Sequence, residues 1–257
     1  MKILVTGSNG YIGKSIINYL GHDHEIVSVS RQILNLSNTE QVDEFFKDYF
    51  FDVIIHCAFV GGNRLVVDDM SVYEQNLLIY NNIYKNRDRF DRLITFGSGV
   101  ELSDCDKPYC LSKKYIRENI LKTDRFYNIR VYAVFDENEL DRRFIKSCLN
   151  NVIQDKPIVI EQDKFMDFFY MKDLITLLEY YLSNDNPPKE IDCSYNTKYT
   201  LLDVAKIINK ITNKKNIKII NEGIGESYIS NTLFLNNLNL DLIGIEKGII
   251  NTYNKMI

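Results

Sequence analysis

The amino-acid sequence predicts an α/β protein: a doubly wound parallel sheet followed by a smaller C-terminal α/β part. Three observations support this prediction. Short apolar segments alternate with helical patterns, a glycine-rich turn follows the first apolar segment, and the alternation loosens after Phe135. Segments that are apolar throughout are typical of parallel strands buried on both faces, because the helical crossovers between such strands cover the sheet.

The expected strands and helices alternate along the first 135 residues. The strand segments are rich in Val, Ile, Leu and Phe, and the helical segments space their apolar residues three or four positions apart. The strands are expected at 2–7, 24–30, 51–58, 92–98 and 128–135, and the helices between them at 13–21, 38–49, 71–86 and 108–122. We therefore expect a cofactor-binding domain over residues 1–135, with segments from about 165–200 returning to it.

The remaining residues, 136–257, are expected to form the smaller, substrate-binding part. A polar loop, a helix and a short strand are expected within 136–160, and further helices at 171–184 and 200–214. Two of the four prolines mark a linker into a strand within 186–197. The last forty residues show weak periodicity and predict no particular element.

Composition and charge limit the class of partner. The 257 residues are 45% hydrophobic and 12% aromatic, enough for a sizeable core, and the formal net charge is -4. Such a chain is not expected to bind nucleic acid or an anionic membrane, so the expected partner is a small molecule.

The apolar run after Met1 is too short for a signal peptide, and no segment reaches the ~18 apolar residues of a membrane span, so a cytoplasmic protein is expected.

The cysteines predict neither a disulfide framework nor a metal site. Their number is odd, and no Cys-x-x-Cys pair occurs. We therefore expect reduced thiols and no bound metal. The five residues are Cys57, Cys105, Cys110, Cys148 and Cys193.

The segment VTGSNGYIG places glycines at three-residue intervals between the first strand and the first helix: Gly7, Gly10 and Gly13. Glycines permit a tight turn and let backbone N–H groups approach a pyrophosphate at the positive end of the helix. An ordinary strand-to-helix turn is the alternative, but the opening of a strand-helix-strand pattern favours a dinucleotide-binding Rossmann domain. The other expected cofactor contacts of this turn are Asn9, Tyr11 and Ile12.

The GxxGxxG spacing resembles that of the extended short-chain dehydrogenase/reductase family, which includes nucleotide-sugar epimerases, dehydratases and reductases. The segment DVIIHCAFVGGN at 52–63 is similar to the family's fourth-strand region, in the version found in GDP-L-fucose synthase-like ketoreductases. YEQNLLIYNNIY at 73–84 is similar to the following helix, with Asn76 at the family's Asn position. MDFFYMKDL at 166–174 resembles RDFxYVxDL, although Met166 replaces the usual Arg.

The end of the second strand bears on the choice of nicotinamide cofactor. It reads VSVSRQ and lacks the carboxylate that NAD-selecting relatives place there, while Arg31 follows at once. A guanidinium at this point would receive the 2′-phosphate of NADP, so NADP(H) is favoured; if Arg31 is a solvated loop charge, NAD(H) remains the alternative. The resemblance implies further cofactor contacts from Asn35, Leu36, Cys57, Ala58 and Asn76.

Ser98, Tyr109 and Lys113 form the expected reaction site. Tyr109 and Lys113 lie four residues apart on one helix face, where an ammonium favours the phenolate and brings a pKa of about 10 closer to neutral. The resemblance implies that Tyr109 exchanges a proton, that Lys113 also holds the nicotinamide ribose, and that Ser98 binds the reacting oxygen. The alternative is a strand end, a polar loop and a helix start without chemistry.

Departures from the family pattern exclude two reactions. Sugar dehydratases place an Asp-Glu pair after the hydroxyl residue, where this sequence has Gly99 and Val100. GDP-L-fucose synthase uses a Cys two residues after the Ser, where Val100 stands here, and a later His, whereas no histidine follows His56. Dehydration and 3,5-epimerisation are therefore not expected, and His56 is interpreted as a packed histidine.

The remaining chemistry is the NADPH-dependent reduction of a ketone. The resemblance implies the C4 ketone of a nucleotide-linked 4-keto-6-deoxy sugar, hexose or heptose, in the synthesis of surface-glycan precursors. A nucleotide-sugar 4-epimerase with tightly bound NAD is one alternative, and a non-catalytic dinucleotide-sensing protein is another.

The substrate contacts and the oligomeric state are also expected from the resemblance. Positive charge after the sixth strand would bind the substrate's diphosphate, although a solvated helix face is the alternative. A homodimer is expected through the helices that carry Asn76 and Tyr109, whose apolar stripe could instead face the sheet. The expected substrate residues are Val60, Gly61, Gly62, Ser98, Gly99, Val100, Arg142, Arg143 and Lys146.

Overall fold

The computed structural model of the protein describes residues 1–63, 65–214, 216–230 and 234–257. Its main feature is a six-stranded sheet with the order β2-β1-β3-β4-β5-β9. These strands are β1 (Lys2–Thr6), β2 (Glu25–Val29), β3 (Phe51–His56), β4 (Phe90–Ser98), β5 (Phe126–Val131) and β9 (Glu190–Asp192). The helices between them are α1 (Tyr11–Leu20), α2 (Thr39–Asp48), α3 (Met70–Lys85) and α4 (Pro108–Lys122).

Burial on both faces explains why these segments form a parallel sheet. β1 pairs in parallel with β2 and with β3, so that Ile3 lies opposite Ile26 on one side and Val53 on the other. Leu4 belongs to a core cluster, while Ile3 and Val5 point to the opposite face and are equally buried. The same core cluster includes residues from strands β3 and β4 and from helices α2 to α4: Phe46, Ile54, Ile83, Leu93, Ile116 and Ile120.

The strand order reverses direction at β1, which lies between β2 and β3. The chain leaves β1 towards one edge of the sheet and later returns on its other side. In open parallel sheets, such a switch point leaves a crevice at the carboxyl ends of the two strands, and ligands bind there. Gly7 follows β1, and Cys57 follows β3, so the glycine turn opens at this crevice.

The chain divides into two compact units. The first consists of Met1–Arg130 and Asn186–Ile191, and the second of Val131–Asp185 and Asp192–Ile257. The second contains two-stranded parallel sheets, formed by β6 (Val134–Phe135) with β8 (Phe169–Tyr170) and by β7 (Ile158–Asp163) with β10 (Ile217–Ile224). Its helices are α5 (Phe144–Ile153), α6 (Met171–Ser183), α7 (Leu201–Thr212) and α8 (Ile245–Met256).

The predicted fold class is confirmed, and the differences concern individual elements. The strand expected at 128–135 is interrupted, because Ala133 accepts a hydrogen bond from Phe169 N–H and β6 pairs with β8 instead of extending β5. Nothing in that apolar run marks the break. β10 and α8 were not predicted. The assignment of cofactor binding and substrate binding to separate parts stays a prediction.

The expectation of five reduced cysteines is wrong, because Cys105 and Cys110 form a disulfide. The loop before α4 folds back on the first turn of the helix and brings the two Cα atoms to 5.9 Å, within the range a disulfide spans. An odd cysteine count excludes a fully paired framework but not one local pair. Cys57, Cys148 and Cys193 remain thiols.

Among the residues that the structure describes, no helix is long and apolar enough to cross a bilayer.

Candidate active site

The glycine turn is shaped by contacts that leave no room for a side chain. Gly7 has a φ of 66°, and a Cβ on it would lie 2.8 Å from the backbone of Cys57 and Ala58. A Cβ on Gly13 would lie 2.4 Å from the carbonyl oxygen of Gly7. The turn therefore packs directly against the end of β3 and against α1, whose N-cap, Gly10, has no side chain.

A cavity of about 300 Å³ opens beside this turn, at the carboxyl ends of β1, β2 and β3. Its backbone-lined wall at the N-terminus of α1 fits a pyrophosphate, which such a terminus attracts. Tyr11, Ile12 and Gly13 lie in the first turn of α1 and do not line the cavity. The expected cofactor residues that line it are Gly7, Asn9, Gly10, Arg31, Asn35, Leu36, Cys57 and Ala58, together with Val60, which was expected to contact substrate.

Polar groups at the end of β2 form one side of this cavity. Gln32 accepts hydrogen bonds at Oε1 from Asn9 Nδ2 (3.3 Å) and from Ser30 Oγ (2.9 Å). Arg31 is exposed, and among the described residues that line the cavity it carries the one formal charge. Ser30 and Gln32 were missed in the sequence, although they flank Arg31. The positive charge of Arg31 suits a phosphate on this side of the cavity, whereas a carboxylate at this position would repel one.

Asn76 has a structural role that its expected cofactor contact did not include. Its amide is buried, accepts from Val60 N–H (2.8 Å), and donates to the carbonyl of Val60 (3.0 Å) and to Ser112 Oγ (3.1 Å). It therefore ties the loop after β3 to α4. The contact of Asn76 with a cofactor stays a prediction. The cofactor contacts expected of the other residues also stay predictions.

Tyr109 and Lys113 lie on the first turns of α4, as the sequence predicted. The Lys113 ammonium lies 5.6 Å from the centre of the Tyr109 ring, and a Cβ on Gly62 would lie 2.9 Å from that ring. Lys113 Nζ donates a hydrogen bond of 2.6 Å to the carbonyl of Phe96, two residues before Ser98. The described structure thus brings the tyrosine-lysine pair to the end of β4, where Ser98 is located.

Burial sets the proton affinity of the groups at this end of the sheet. Burial lowers the pKa of Lys113 to about 7, while the charge of Glu101 acts in the opposite direction. Burial also lowers the pKa of His56 to about 3, so its imidazole is neutral at neutral pH. His56 Nδ1 lies 2.8 Å from Thr6 Oγ1. This agrees with the interpretation of His56 as a packed histidine.

Glu101 is a functional candidate that the sequence analysis missed. It lies in a short 3-10 turn, Gly99–Leu102, directly after β4, and is 4% exposed. Its carboxylate accepts hydrogen bonds from Ser98 N–H (3.2 Å), Asn128 Nδ2 (2.6 Å) and Arg130 Nη1 (2.8 Å). A Glu three residues after a Ser is the signature of a capping box, and that signal could have identified it.

The disulfide lies next to the predicted proton donor. Cys110 follows Tyr109 on α4, and Lys114 Nζ donates to the carbonyl of Cys105 (3.0 Å). The disulfide and this hydrogen bond therefore tie the loop between Ser98 and Tyr109 to the first two turns of the helix.

The remaining expected substrate residues lie in three places. Gly61 and Gly62 have φ values of 83° and 72°, a conformation that favours glycine. Gly99 and Val100 belong to the turn after Ser98. The residues Arg142, Arg143 and Lys146 belong to the second unit, where Arg143 pairs with Glu139 at 3.4 Å and Lys146 donates to the carbonyl of Glu137.

A family profile matches most of the chain, and a curated relative aligns with nearly all of it. The profile of the NAD dependent epimerase/dehydratase family matches residues 3–196. GDP-L-colitose synthase from Yersinia pseudotuberculosis is 22% identical over 299 residues, and the alignment covers 98% of this chain and 96% of the relative.

Solved structures resemble the fold over nearly the whole chain. The Bordetella bronchiseptica enzyme WbmG in complex with NAD superposes with a TM-score of 0.82 at 15% identity, covering 99% of this chain and 94% of the other. GDP-mannoheptose C4 reductase from Campylobacter jejuni with NADP bound has a TM-score of 0.79 at 16% identity, covering 99% and 98%. At these identities the likeness concerns the fold.

Proposed function

The chain belongs to the NAD dependent epimerase/dehydratase family, and we propose that it is an NADPH-dependent reductase of the C4 ketone of a nucleotide-linked 4-keto-6-deoxy sugar. The observation that carries this proposal is the Tyr109 and Lys113 pair beside the end of β4, combined with Gly99 and Val100 where a dehydratase would need an acid and a base. This set of groups can exchange one proton with a carbonyl oxygen and has no second acid-base pair in the turn.

Each residue has a separate role in the proposed reaction. When bound, NADPH would supply the hydride. Tyr109 would donate its phenolic proton to the oxygen of the reduced carbon, and Ser98 would hydrogen-bond the same oxygen as negative charge develops on it. The Lys113 ammonium would hold the nicotinamide ribose and favour the phenolate that remains on Tyr109. Burial around Lys113 keeps bulk water from weakening that interaction.

The preference for NADPH rests on the end of β2. Arg31 is exposed on the cavity wall, and no lining residue among those described is acidic. A guanidinium there would bind the 2′-phosphate through charge-assisted hydrogen bonds. The substrate class follows from likeness: one relative is a GDP-L-colitose synthase, and one structural neighbour is a GDP-mannoheptose C4 reductase. The same proposal includes a hexose or heptose substrate in surface-glycan synthesis. It also includes a cytoplasmic location and a homodimer.

The proposal is tested by following nicotinamide absorbance with NADPH and with NADH. The substrates are enzymatically generated 4-keto-6-deoxy sugars linked to GDP, dTDP, UDP or CDP. Tyr109→Phe removes the proton donor and is expected to lower kcat by about 10² to 10⁴-fold. Tyr115→Phe, on the same helix and 37% exposed, is the matched control and is expected to retain activity.

Two outcomes would replace the reductase with another function. Interconversion at C4 without net oxidation of NADPH, together with NAD retained through purification, would indicate a 4-epimerase. Dinucleotide binding without turnover, together with full biological activity of Tyr109→Phe, would indicate a dinucleotide sensor.

A further inference from the structure

Glu101 is a buried carboxylate in the turn that joins Ser98 to the loop before α4. Its three donors are Ser98 N–H, Asn128 Nδ2 and Arg130 Nη1, at 3.2, 2.6 and 2.8 Å. Burial raises the pKa of Glu101, while the Arg130 guanidinium lowers it. A group surrounded by donors, one of them permanently charged, is accommodated as the carboxylate, because a protonated acid would need an acceptor for its own hydrogen.

The backbone of β4 is shaped to receive this carboxylate. A Cβ on Gly97 would lie 2.7 Å from Glu101 Oε1 and 2.7 Å from the side-chain amide of Asn128. The absence of a side chain at Gly97 therefore lets the carboxylate lie directly against the strand, between Phe96 and Ser98. Phe96 is the residue whose carbonyl accepts the hydrogen bond of Lys113.

The carboxylate is one end of a row of alternating charges. Arg130 Nη1 also lies 3.2 Å from Glu190 Oε2, and Glu190 accepts hydrogen bonds of 2.6 and 2.7 Å from Arg117. Two carboxylates and two guanidiniums balance each other. Glu190 is more exposed than Glu101, with side-chain exposures of 26% and 1%. The two carboxylates share Arg130, but only Glu101 of the two accepts from Ser98 in the described structure.

The groups that face Lys113 differ in charge. Burial lowers the pKa of His56 to about 3 and raises that of Cys57 above its usual range, so both are neutral near pH 7. Glu101 raises the pKa of Lys113 against the effect of burial. Glu101 in turn interacts with Arg130 from β5 and Arg117 from α4, and both arginines also pair with Glu190 from β9. Glu101 is thus the buried anion that the described structure supplies to Lys113.

We propose, resting on the ketoreductase function above, that Glu101 is a positioning residue: its carboxylate fixes the backbone of Ser98 and supplies the negative charge that keeps Lys113 an ammonium. It acts through these two residues and does not contact the reacting atoms. One buried carboxylate thereby couples the group that binds the reacting oxygen to the group that stabilises the phenolate.

The test compares Glu101→Gln with Glu190→Gln. Both remove one carboxylate from the same row of charges, but only the first removes it from Ser98 and Lys113. For Glu101→Gln we expect kcat to fall by about tenfold or more while KM for the ketone stays within about threefold. The pH at which kcat declines on the alkaline side is expected to move down by about one unit, because Lys113 loses its proton more readily.

The outcomes of the kinetic comparison are distinct. Glu190→Gln is expected to keep the pH profile and kcat of the wild type, even if it unfolds at lower urea concentration. Equal losses and equal pH shifts in both variants would overturn the proposal, since the row of charges would then be merely structural.

If Glu101→Gln does not fold, Glu101→Asp keeps the charge but withdraws it from Ser98. It is then expected to lower kcat without moving the pH profile, and an unchanged kcat would overturn the proposal.

A binding measurement separates this proposal from the proposed function. The Kd of NADPH, or of NADH if only that cofactor binds, is measured by nicotinamide fluorescence across neutral pH. Wild-type affinity is expected to weaken as pH rises through the Lys113 pKa of about 7. In Glu101→Gln the same weakening is expected about one unit lower. A wild type without ketone turnover would overturn the reductase, whereas identical binding curves would overturn the role of Glu101.

Discussion

The glycine turn and the charged cluster around Lys113 lie in the same unit but depend on different physics. The turn requires glycine, because a Cβ on Gly7 would lie 2.8 Å from backbone atoms. The cluster works through charges that folding removes from water, since Lys113, Glu101 and Arg130 are 3%, 4% and 3% exposed. Substitutions in the turn should therefore act through steric fit, with effects that hardly depend on pH. Substitutions in the cluster should act through charge, with effects that depend on pH.

The largest expected effect comes from removing the buried ammonium with Lys113→Met. Burial lowers the pKa of Lys113 from 10.5 to about 7. Between these values the unfolded chain holds a proton that the folded chain has released, so wild-type stability rises with pH in this range. The Met variant lacks this dependence. We expect it to abolish turnover yet to be more stable by up to roughly 5 kcal/mol below pH 7, with the advantage disappearing above pH 10.5.

Urea unfolding at a series of pH values measures this difference. Lys114→Met, the neighbouring lysine on the same helix, controls for the substitution itself. A stability difference between Lys113→Met and wild type that stays constant with pH would contradict a buried, titrating ammonium.

The second prediction tests whether the glycine turn depends on space as well as on backbone conformation. Gly7→Ala adds a clash to the strain of a positive φ, whereas Gly244 has a φ of 81° with no atom within 4 Å of an added Cβ. Gly244→Ala should lose only the ~1–3 kcal/mol of a positive-φ backbone that side chains rarely adopt, and should retain NADPH binding. Gly7→Ala should lose about 3 kcal/mol or more and bind NADPH poorly.

Urea unfolding and nicotinamide fluorescence measure the two properties of these glycine variants. Equal effects of the two substitutions would show that the close packing of Gly7 against Cys57 and Ala58 has no consequence.

The third prediction concerns the disulfide beside Tyr109. Closing a short loop constrains the unfolded chain, so replacing both Cys105 and Cys110 by Ser should lower the free energy of unfolding by about 2 kcal/mol. A dithiol reductant should lower wild-type stability by a similar amount and leave the double variant unchanged, which makes that variant its own control. Unfolding curves with and without reductant measure this. A reductant effect on the double variant would place the effect elsewhere.

The smallest expected effect concerns cofactor choice. Arg31→Ala removes the charge from the cavity wall and should raise the Kd of NADPH by about tenfold, the effect of one lost charge-assisted hydrogen bond. The Kd of NADH should change by less than about twofold, so NADH serves as the internal control. Fluorescence titration with both cofactors measures the ratio. Equal weakening for both would mean that Arg31 supports the cavity wall without reading the 2′-phosphate.

The sequence by itself determined the fold class, the glycine turn and the helix that carries Tyr109 and Lys113. These features depend on local patterns: apolar strands, three-residue glycine intervals and a four-residue helical spacing. The predicted helix at 108–122 coincides with α4 because Pro108 suits a first helical position.

The tertiary structure decided the features that depend on burial and on contacts between distant residues. Glu101 is a strong counter-charge only because Arg130, 29 residues later, and Lys113 are buried with it. The same burial sets the pKa of Lys113. The disulfide required the fold-back of a loop, and the end of β5 required pairing between β6 and β8. A sequence pattern specifies neighbours along an element, whereas the free energy of a buried charge depends on which other elements surround it.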